Sequence, residues 1–320
     1  MTVFTVSYLY SFCCFVVIEK KKNMTHHPSS PFRKDILKDR VVLISGGATG
    51  IGFGCALCFG EHGAKVAIMS RRKAKIDEAV SKLRRRGIDA FGTTVDVRDY
   101  KRCVDSVNRV ANHFGRVDFL INNAAGNFMV SSENLSPNGL STVLGIDLQG
   151  SFHMSRACLS HLKKTGAQSN GDAVIVNITA TLQDMATPFQ FHAASAKAGI
   201  DVLTNTIGTE WAEYGIRCVG LAPGGISGTV GGPDGRVFGR GTTRELGPVR
   251  IRRGGIPAGR WGQVSDVALA AVFMCSPAAP WITATRLVID GGSVHRVQNF
   301  VEFKRAIQKK SDAEKARSKL

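Results

Sequence analysis

The chain has 320 residues, 43% of them hydrophobic, which is enough to bury one sizeable core, and its 35 glycines against 10 prolines suit a fold with many tight strand-to-helix turns. The net charge of +17 first suggests nucleic acid, but residues 1–40 (seven Lys/Arg, three acids) and 293–320 (eight and three) carry more than half of it. No basic stripe interleaved with aromatics and no nucleic-acid motif accompanies the charge, so the expectation is a solvated surface that attracts an anionic small ligand, with no nucleic-acid partner. The eight cysteines are scattered, and the CxxC of Cys55 and Cys58 lies inside an expected helix without a second ligand pair. No metal is expected; the thiols read as small buried groups of a reducing compartment.

Residues 1–38 read as an N-terminal extension. The run "MTVFTVSYLYSFCCFVVI" is uncharged, with "EKKK" after it, and a short anchor or signal sequence is the first thought. No basic residue precedes the run, no small-residue cleavage site is evident, and Met24 begins a second plausible start. Residues 1–23 are therefore expected to be absent from the working protein.

Next comes "RVVLISGGATGIGFGCALCFGEHG", a β-branched run that turns through glycines into a helix. Gly46, Gly50 and Gly52 have the spacing G-x-x-x-G-x-G, which brings backbone amides close to a pyrophosphate at a helix N-terminus. Gly47, Thr49 and Ile51 complete the loop. The following strand, "KVAIMS", ends in Ser70-Arg71-Arg72, where an NAD site usually offers a carboxylate to the ribose. Arginine there can pair with a 2′-phosphate, so NADPH is the expected cofactor, although either arginine can equally open the solvated helix that follows. Asp96, before Val97 in "TTVDVRD", is placed to meet an adenine amino group, and "NNAAG" (Asn122, Asn123, Ala124, Ala125, Gly126) to line the cofactor floor.

Apolar runs near 41, 65, 91, 117, 173, 216 and 286, separated by helical stretches, predict repeated βαβ units: one α/β domain with a doubly wound parallel sheet, a Rossmann fold, over residues 39–292. Its ligands belong at the carboxyl ends of the strands. Residues 293–320 form a basic tail that ends in Ser318-Lys319-Leu320, the peroxisomal import signal when it stands at the free carboxyl terminus. An import receptor is the expected partner and the peroxisome the expected compartment.

Through "GGATGIG", "NNAAG", a helix lysine, "LAPGGISGT" and "VIDGG", the chain resembles the short-chain dehydrogenase/reductase family. That family's usual site is Asn, Ser, Tyr and Lys, with Tyr four residues before Lys. Here Lys197 stands, but Ala193 occupies the tyrosine place, Ala180 the serine place and Asp147 the asparagine place. The replacements, with "NNAAGNF", "SPNG", "NITATL" and "HAASAKAG", resemble the peroxisomal 2,4-dienoyl-CoA reductase group, its plant branch in particular.

That resemblance implies Asp147 and Lys197 as the catalytic pair: Asp147 orients a proton-donating water, and Lys197 holds the nicotinamide ribose. A plain buried ion pair is the competing reading. The resemblance also implies Phe128, Ser136, Pro137 and Asn138 as acyl-CoA contacts, with Phe128 equally suited to the core and Asn138 to capping a helix, and Arg71 and Arg98 as partners of CoA phosphates. Pro223, Gly224, Ile226, Ser227 and Thr229 would cover the cofactor, and the protein would be a homo-oligomer. Residues 230–256 do not resemble the family's substrate loop; Arg250, Arg252, Arg253 and Arg260 could face an anionic CoA or equally belong to a solvated loop. Two other activities remain open, a trans-2-enoyl-CoA reductase and a catalytically silent NADPH-binding scaffold.

Overall fold

The expected apolar runs become seven strands: β1 (Val41–Ser45), β2 (Lys65–Ser70), β3 (Ala90–Thr94), β4 (Phe119–Asn122), β5 (Ala173–Ile178), β6 (Ile216–Pro223) and β7 (Thr285–Ile289). In the computed structural model they pair side by side in the order β3-β2-β1-β4-β5-β6-β7, every pair parallel. The residues described are 30–168, 173–229, 232 and 256–295. The apolar N-terminal run, the carboxyl-terminal tripeptide, and Arg250, Arg252 and Arg253 lie outside them.

Alternation of side chains along each strand feeds two cores. On one face Val42 and Ile44 pack with Phe59, Leu83 and Val267 from helices α1 (Gly50–Glu61), α2 (Lys73–Arg84) and α7 (Val264–Cys275). On the other, Val41 and Leu43 pack with Val107, Met154 and Ile207 from α3 (Tyr100–Phe114), α5 (Gly150–Gln168) and α6 (Phe191–Glu210). A shorter helix, α4 (Pro137–Leu144), precedes α5. Covered on both faces, β1 and β5 are buried at every residue, as parallel strands require.

Strand β4 starts two residues later than its apolar run suggests. Asp118 is fully buried, accepts the Val41 N–H at 2.8 Å and pairs with Arg116, so it anchors the entry to the strand. The chain runs outward from β1 to β3, then returns to place β4 on the other side of β1. That reversal leaves a crevice at the carboxyl ends of β1 and β4, the usual place for a ligand in such a sheet.

Candidate active site

The ends of β1 and β4 are tied into one unit. Ser45 Oγ accepts the backbone N–H groups of Asn123 (3.0 Å) and Ala124 (3.1 Å), and Asn123 Nδ2 donates to the Gly46 carbonyl at 3.1 Å. Gly46 has φ +66°, and a Cβ there would lie 2.9 Å from Asn123 Nδ2; at Gly52 the distance would be 2.5 Å. Only glycine lets the loop sit on this floor. Gly47 differs, since its missing side chain makes room for Ile68 of β2, so it serves packing.

Thr49 precedes α1 without a side-chain cap, and the first turn has no acidic residue. The free N–H groups there suit an anionic phosphate. Opposite this turn stands Thr229, whose Cγ2 would be 3.8 Å from a Cβ on Gly50. The segment carrying it leaves β6 at Pro223 and is held by Gly224 N–H to the Ile289 carbonyl (3.0 Å) and Ser227 N–H to the Gly262 carbonyl (2.9 Å), with Ile226 buried. The glycine loop, the floor and this segment surround the same helix end, so the residues present fit a dinucleotide.

Arg71 and Arg72 follow β2 and are exposed, and among the described residues neither makes an ion pair. Arg72 also stands at the start of α2, so it holds the helix-opening position as well. Asp96 and Arg98, expected at two different ligands, are paired with each other at 2.6 Å, and the Arg98 guanidinium holds the Asp96 carboxyl below the usual carboxylate range. Val97 between them is buried, its carbonyl bonded to His153 Nδ1 at 2.9 Å.

Helices α4 and α5 are joined through a π-helical turn, Gly145–Gln149, with Asp147 at its middle. A π turn sends an extra residue inward and is common at functional sites. Asp147 is 1% exposed; its Oδ1 accepts the Gly126 N–H at 2.7 Å and its Oδ2 lies 3.5 Å from Lys197 Nζ. Burial pushes the Asp147 carboxyl up, against the opposing pull of Lys197 and the Gly126 N–H. Lys197 Nζ also donates to the Ile178 carbonyl at 2.9 Å, which pins the ammonium to the end of β5. One turn earlier on α6, Ala193 is buried, and Ala180 follows β5.

Under the floor a second polar layer fixes these strand ends. Asn122 Nδ2 donates to Ser155 Oγ (3.0 Å) and Asn177 Oδ1 (2.8 Å), and Asn177 Nδ2 donates to Thr204 Oγ1 (2.9 Å).

Phe128 is 39% exposed and stacks on His192 of α6, ring centroids 4.2 Å apart. Ser136, not Asn138, caps α4: its Oγ accepts the Gly139 N–H at 3.0 Å, with Pro137 as the first helical residue and Asn138 exposed. The reason is spacing, since a side-chain cap must precede the first turn. Arg260 is bound to Asp266 at 2.6 Å at the start of α7. The π turn, His192 and a contact between Asn127 and Gln190 escaped the sequence reading; only the polar letters of "GNF" and "FQFH" hinted at the last two.

The helical CxxC carries no reactive thiol. Cys55 is buried, and burial pushes the Cys58 thiol up to about 12. Among the described residues no group of three His, Cys, Asp or Glu could hold a metal ion.

With this geometry in place, the chain belongs to the short-chain dehydrogenase/reductase family of oxidoreductases, and the family model described as enoyl-(acyl carrier protein) reductase matches residues 46–294. Among curated relatives, it is 40% identical to an Arabidopsis thaliana protein named peroxisomal 2,4-dienoyl-CoA reductase, with 89% of this chain and 96% of that one aligned. A Rattus norvegicus protein of the same name is 37% identical, covering 84% and 87%. Among solved structures, a short chain dehydrogenase from Bacillus anthracis superimposes with a TM-score of 0.71 at 35% identity, covering 82% of this chain and 99% of that one. A gluconate 5-dehydrogenase from Burkholderia cenocepacia, in complex with NADP and tartrate, gives 0.71 at 27% identity over the same shares.

Proposed function

We propose that this chain is an NADPH-dependent 2,4-dienoyl-CoA reductase that yields 3-enoyl-CoA in peroxisomal β-oxidation of unsaturated fatty acids, with residues 39–292 as its catalytic domain. The observation that carries this reading is the buried pair of Asp147 on the π turn with Lys197 on α6, in a site whose serine and tyrosine places hold Ala180 and Ala193. The named relatives, 37–40% identical over most of the chain, support the same activity and compartment. The carboxyl-terminal Ser318-Lys319-Leu320 supports delivery by the import receptor.

NADPH, when bound, supplies a hydride to C5 of the dienoyl group. The C4=C5 electron pair then moves to C3=C4, the C2=C3 pair to C1=C2, and the carbonyl pair to the thioester oxygen. Protonation at C2 restores the thioester and leaves the double bond at C3–C4. Because the proton goes to carbon, no alkoxide forms, and a tyrosine acid is dispensable. Asp147 orients the water that gives up this proton, while Lys197 holds the ribose and adds positive potential beside the developing charge. Gly46, Gly50 and Gly52 with α1 take the pyrophosphate, Arg71 and Arg72 the 2′-phosphate, and Asp96 the adenine amino group.

Phe128, Ser136 and Asn138 face the acyl-CoA, and Arg98 reaches its phosphates when it releases Asp96. Exposed apolar residues on α5 and α6, Phe152 and Val202, support a homo-oligomer. The testing assay is NADPH oxidation by purified protein with 2,4-decadienoyl-CoA and, separately, trans-2-decenoyl-CoA. Turnover of the first and not the second is expected; binding of NADPH without turnover of either would leave a silent scaffold.

A further inference from the structure

Lys197 owes its place to two elements, the end of β5 and helix α6, and a second set of side chains ties those elements together one turn further on. Lys197 Nζ donates to the Ile178 carbonyl at 2.9 Å. Two residues later the Ala180 carbonyl accepts Gln183 Nε2 at 2.9 Å, and the same Nε2 donates to Oδ2 of Asp201, one turn beyond Lys197 on α6. Arg286 of the edge strand β7 completes the tie: Nη1 donates to Asp201 Oδ2 and Nη2 to Asp184 Oδ1, both at 2.9 Å. One guanidinium thereby clamps the segment after β5 onto the helix that carries Lys197.

The clamp joins two groups that repel each other. Burial pushes the Asp201 carboxyl up and the charge of Asp184 adds to this, against the pull of Gln183 and Arg286. Among the described residues no other Lys or Arg pairs with either carboxylate. The three charged side chains are between 20% and 25% exposed, so water screens them only in part. Arginine suits the place, because its planar fork spans two carboxylates at once where a lysine offers a point charge.

With alanines in the serine and tyrosine places, the site leans on Asp147 and Lys197, and the ammonium rests on a carbonyl two residues upstream of Ala180. We propose that Arg286 is a positioning residue: by holding Asp184 against Asp201 it keeps the segment after β5 closed on α6 and so fixes the Lys197 ammonium beside Asp147. Without the guanidinium the two carboxylates push segment and helix apart, the Ile178 carbonyl shifts, and the ammonium leaves Asp147. This role rests on the reading of Asp147 and Lys197 given above, but the geometry it describes exists before any substrate binds and can be tested without turnover.

The test reads Asp147 directly. Lys197 is the charged group that acts on this carboxyl, lowering the pKa that burial raises. The aspartate carboxyls are isotopically labelled and titrated by NMR, with Asp147→Asn to assign the signal. Arg286→Gln should raise the Asp147 midpoint by about one pH unit, the effect of drawing back a nearby opposite charge. In the same variant kcat with 2,4-decadienoyl-CoA should fall by on the order of tenfold to a hundredfold, as for a displaced group, and the acidic limb of kcat/KM should move up with the midpoint. Adding Asp184→Asn to Arg286→Gln removes the repulsion and should restore most of both. An unchanged midpoint in Arg286→Gln overturns the positioning role whatever the melting temperature does, and so does a double variant as impaired as the single one. If Arg286→Gln does not fold alone, the double variant decides: folded with the wild-type midpoint it upholds the clamp, and unfolded it leaves Arg286 to stability only. A midpoint that moves and is restored, in a protein that reduces no dienoyl-CoA, upholds the clamp and removes the reaction reading instead.

Discussion

Asp147 Oδ2 and Lys197 Nζ stand 3.5 Å apart, both residues almost wholly buried, each held by a backbone group from a different strand end. Gly126 N–H grips the carboxylate from the loop after β4, and the Ile178 carbonyl grips the ammonium at the end of β5. A purely structural pair has no need of this placement. The carboxylate lies against the loop expected to floor the cofactor, and among the described residues its Oδ2 has no hydrogen bond beyond the 3.5 Å pairing with Lys197.

Asp147→Ala should lower kcat with a dienoyl-CoA by on the order of 10² to 10⁴, the usual range for a positioned proton-transfer group. Lys197→Ala should damage both kcat and the KM for NADPH, because one cation serves charge and ribose together. Steady-state kinetics on folded, NADPH-binding variants checks both. Near-normal turnover of Asp147→Ala would leave the pair as structure.

The pH profile follows from the raised pKa of Asp147. Water is oriented by the ionised carboxylate, so kcat/KM should fall as pH drops through a value above the roughly 4 of a free aspartate. Asp147→Asn should be slow and lack this acidic limb. For stability the sign is reversed: a raised folded pKa favours the protonated form, so this group stabilises the fold fully below the unfolded value and loses that contribution as pH rises through the folded one. Kinetics and thermal melts over the same pH series separate the two effects.

Arg71→Ala combined with Arg72→Ala should reduce kcat/KM for NADPH by roughly tenfold or more, the loss of charge-assisted contacts at an exposed site, while NADH is little affected. Cofactor competition in wild type and variant is the measurement. A wild type that prefers NADH would contradict the reading of this strand end.

Ala193→Tyr should not raise activity. The position is 2% exposed on the buried side of α6, so a ring there overpacks the site at a cost of about 1–3 kcal/mol. Denaturant melts and turnover of the variant together check this, and a gain in kcat would show that an oxygen acid is wanted after all.

The fold was legible in the sequence because the central strands β1, β4, β5 and β6, buried at every residue, read as short and largely apolar runs, and glycines punctuate the chain around them. The glycine loop and the alanines at 180 and 193 were legible for a related reason, since backbone approach and missing oxygens are written directly in residue type. The π turn at Asp147 was not: it adds one residue to a helical turn without any sequence mark. The pairing of Asp96 with Arg98, the stack of Phe128 on His192 and the bond between Asn127 and Gln190 depend on how loops meet in space, and 63 residues of chain separate the last pair.

Dienoyl reduction is defined by where two hydrogens go, and isotopic labelling reads both positions. Purified protein is given a 2,4-dienoyl-CoA with NADPH carrying deuterium at the transferred position, then in a second run unlabelled NADPH in D2O, and the product is examined by NMR. Cofactor deuterium is expected at C5, solvent deuterium at C2 and a double bond between C3 and C4. Cofactor deuterium at C3 with the C4 double bond retained would contradict it and assign the protein to 2-enoyl reduction.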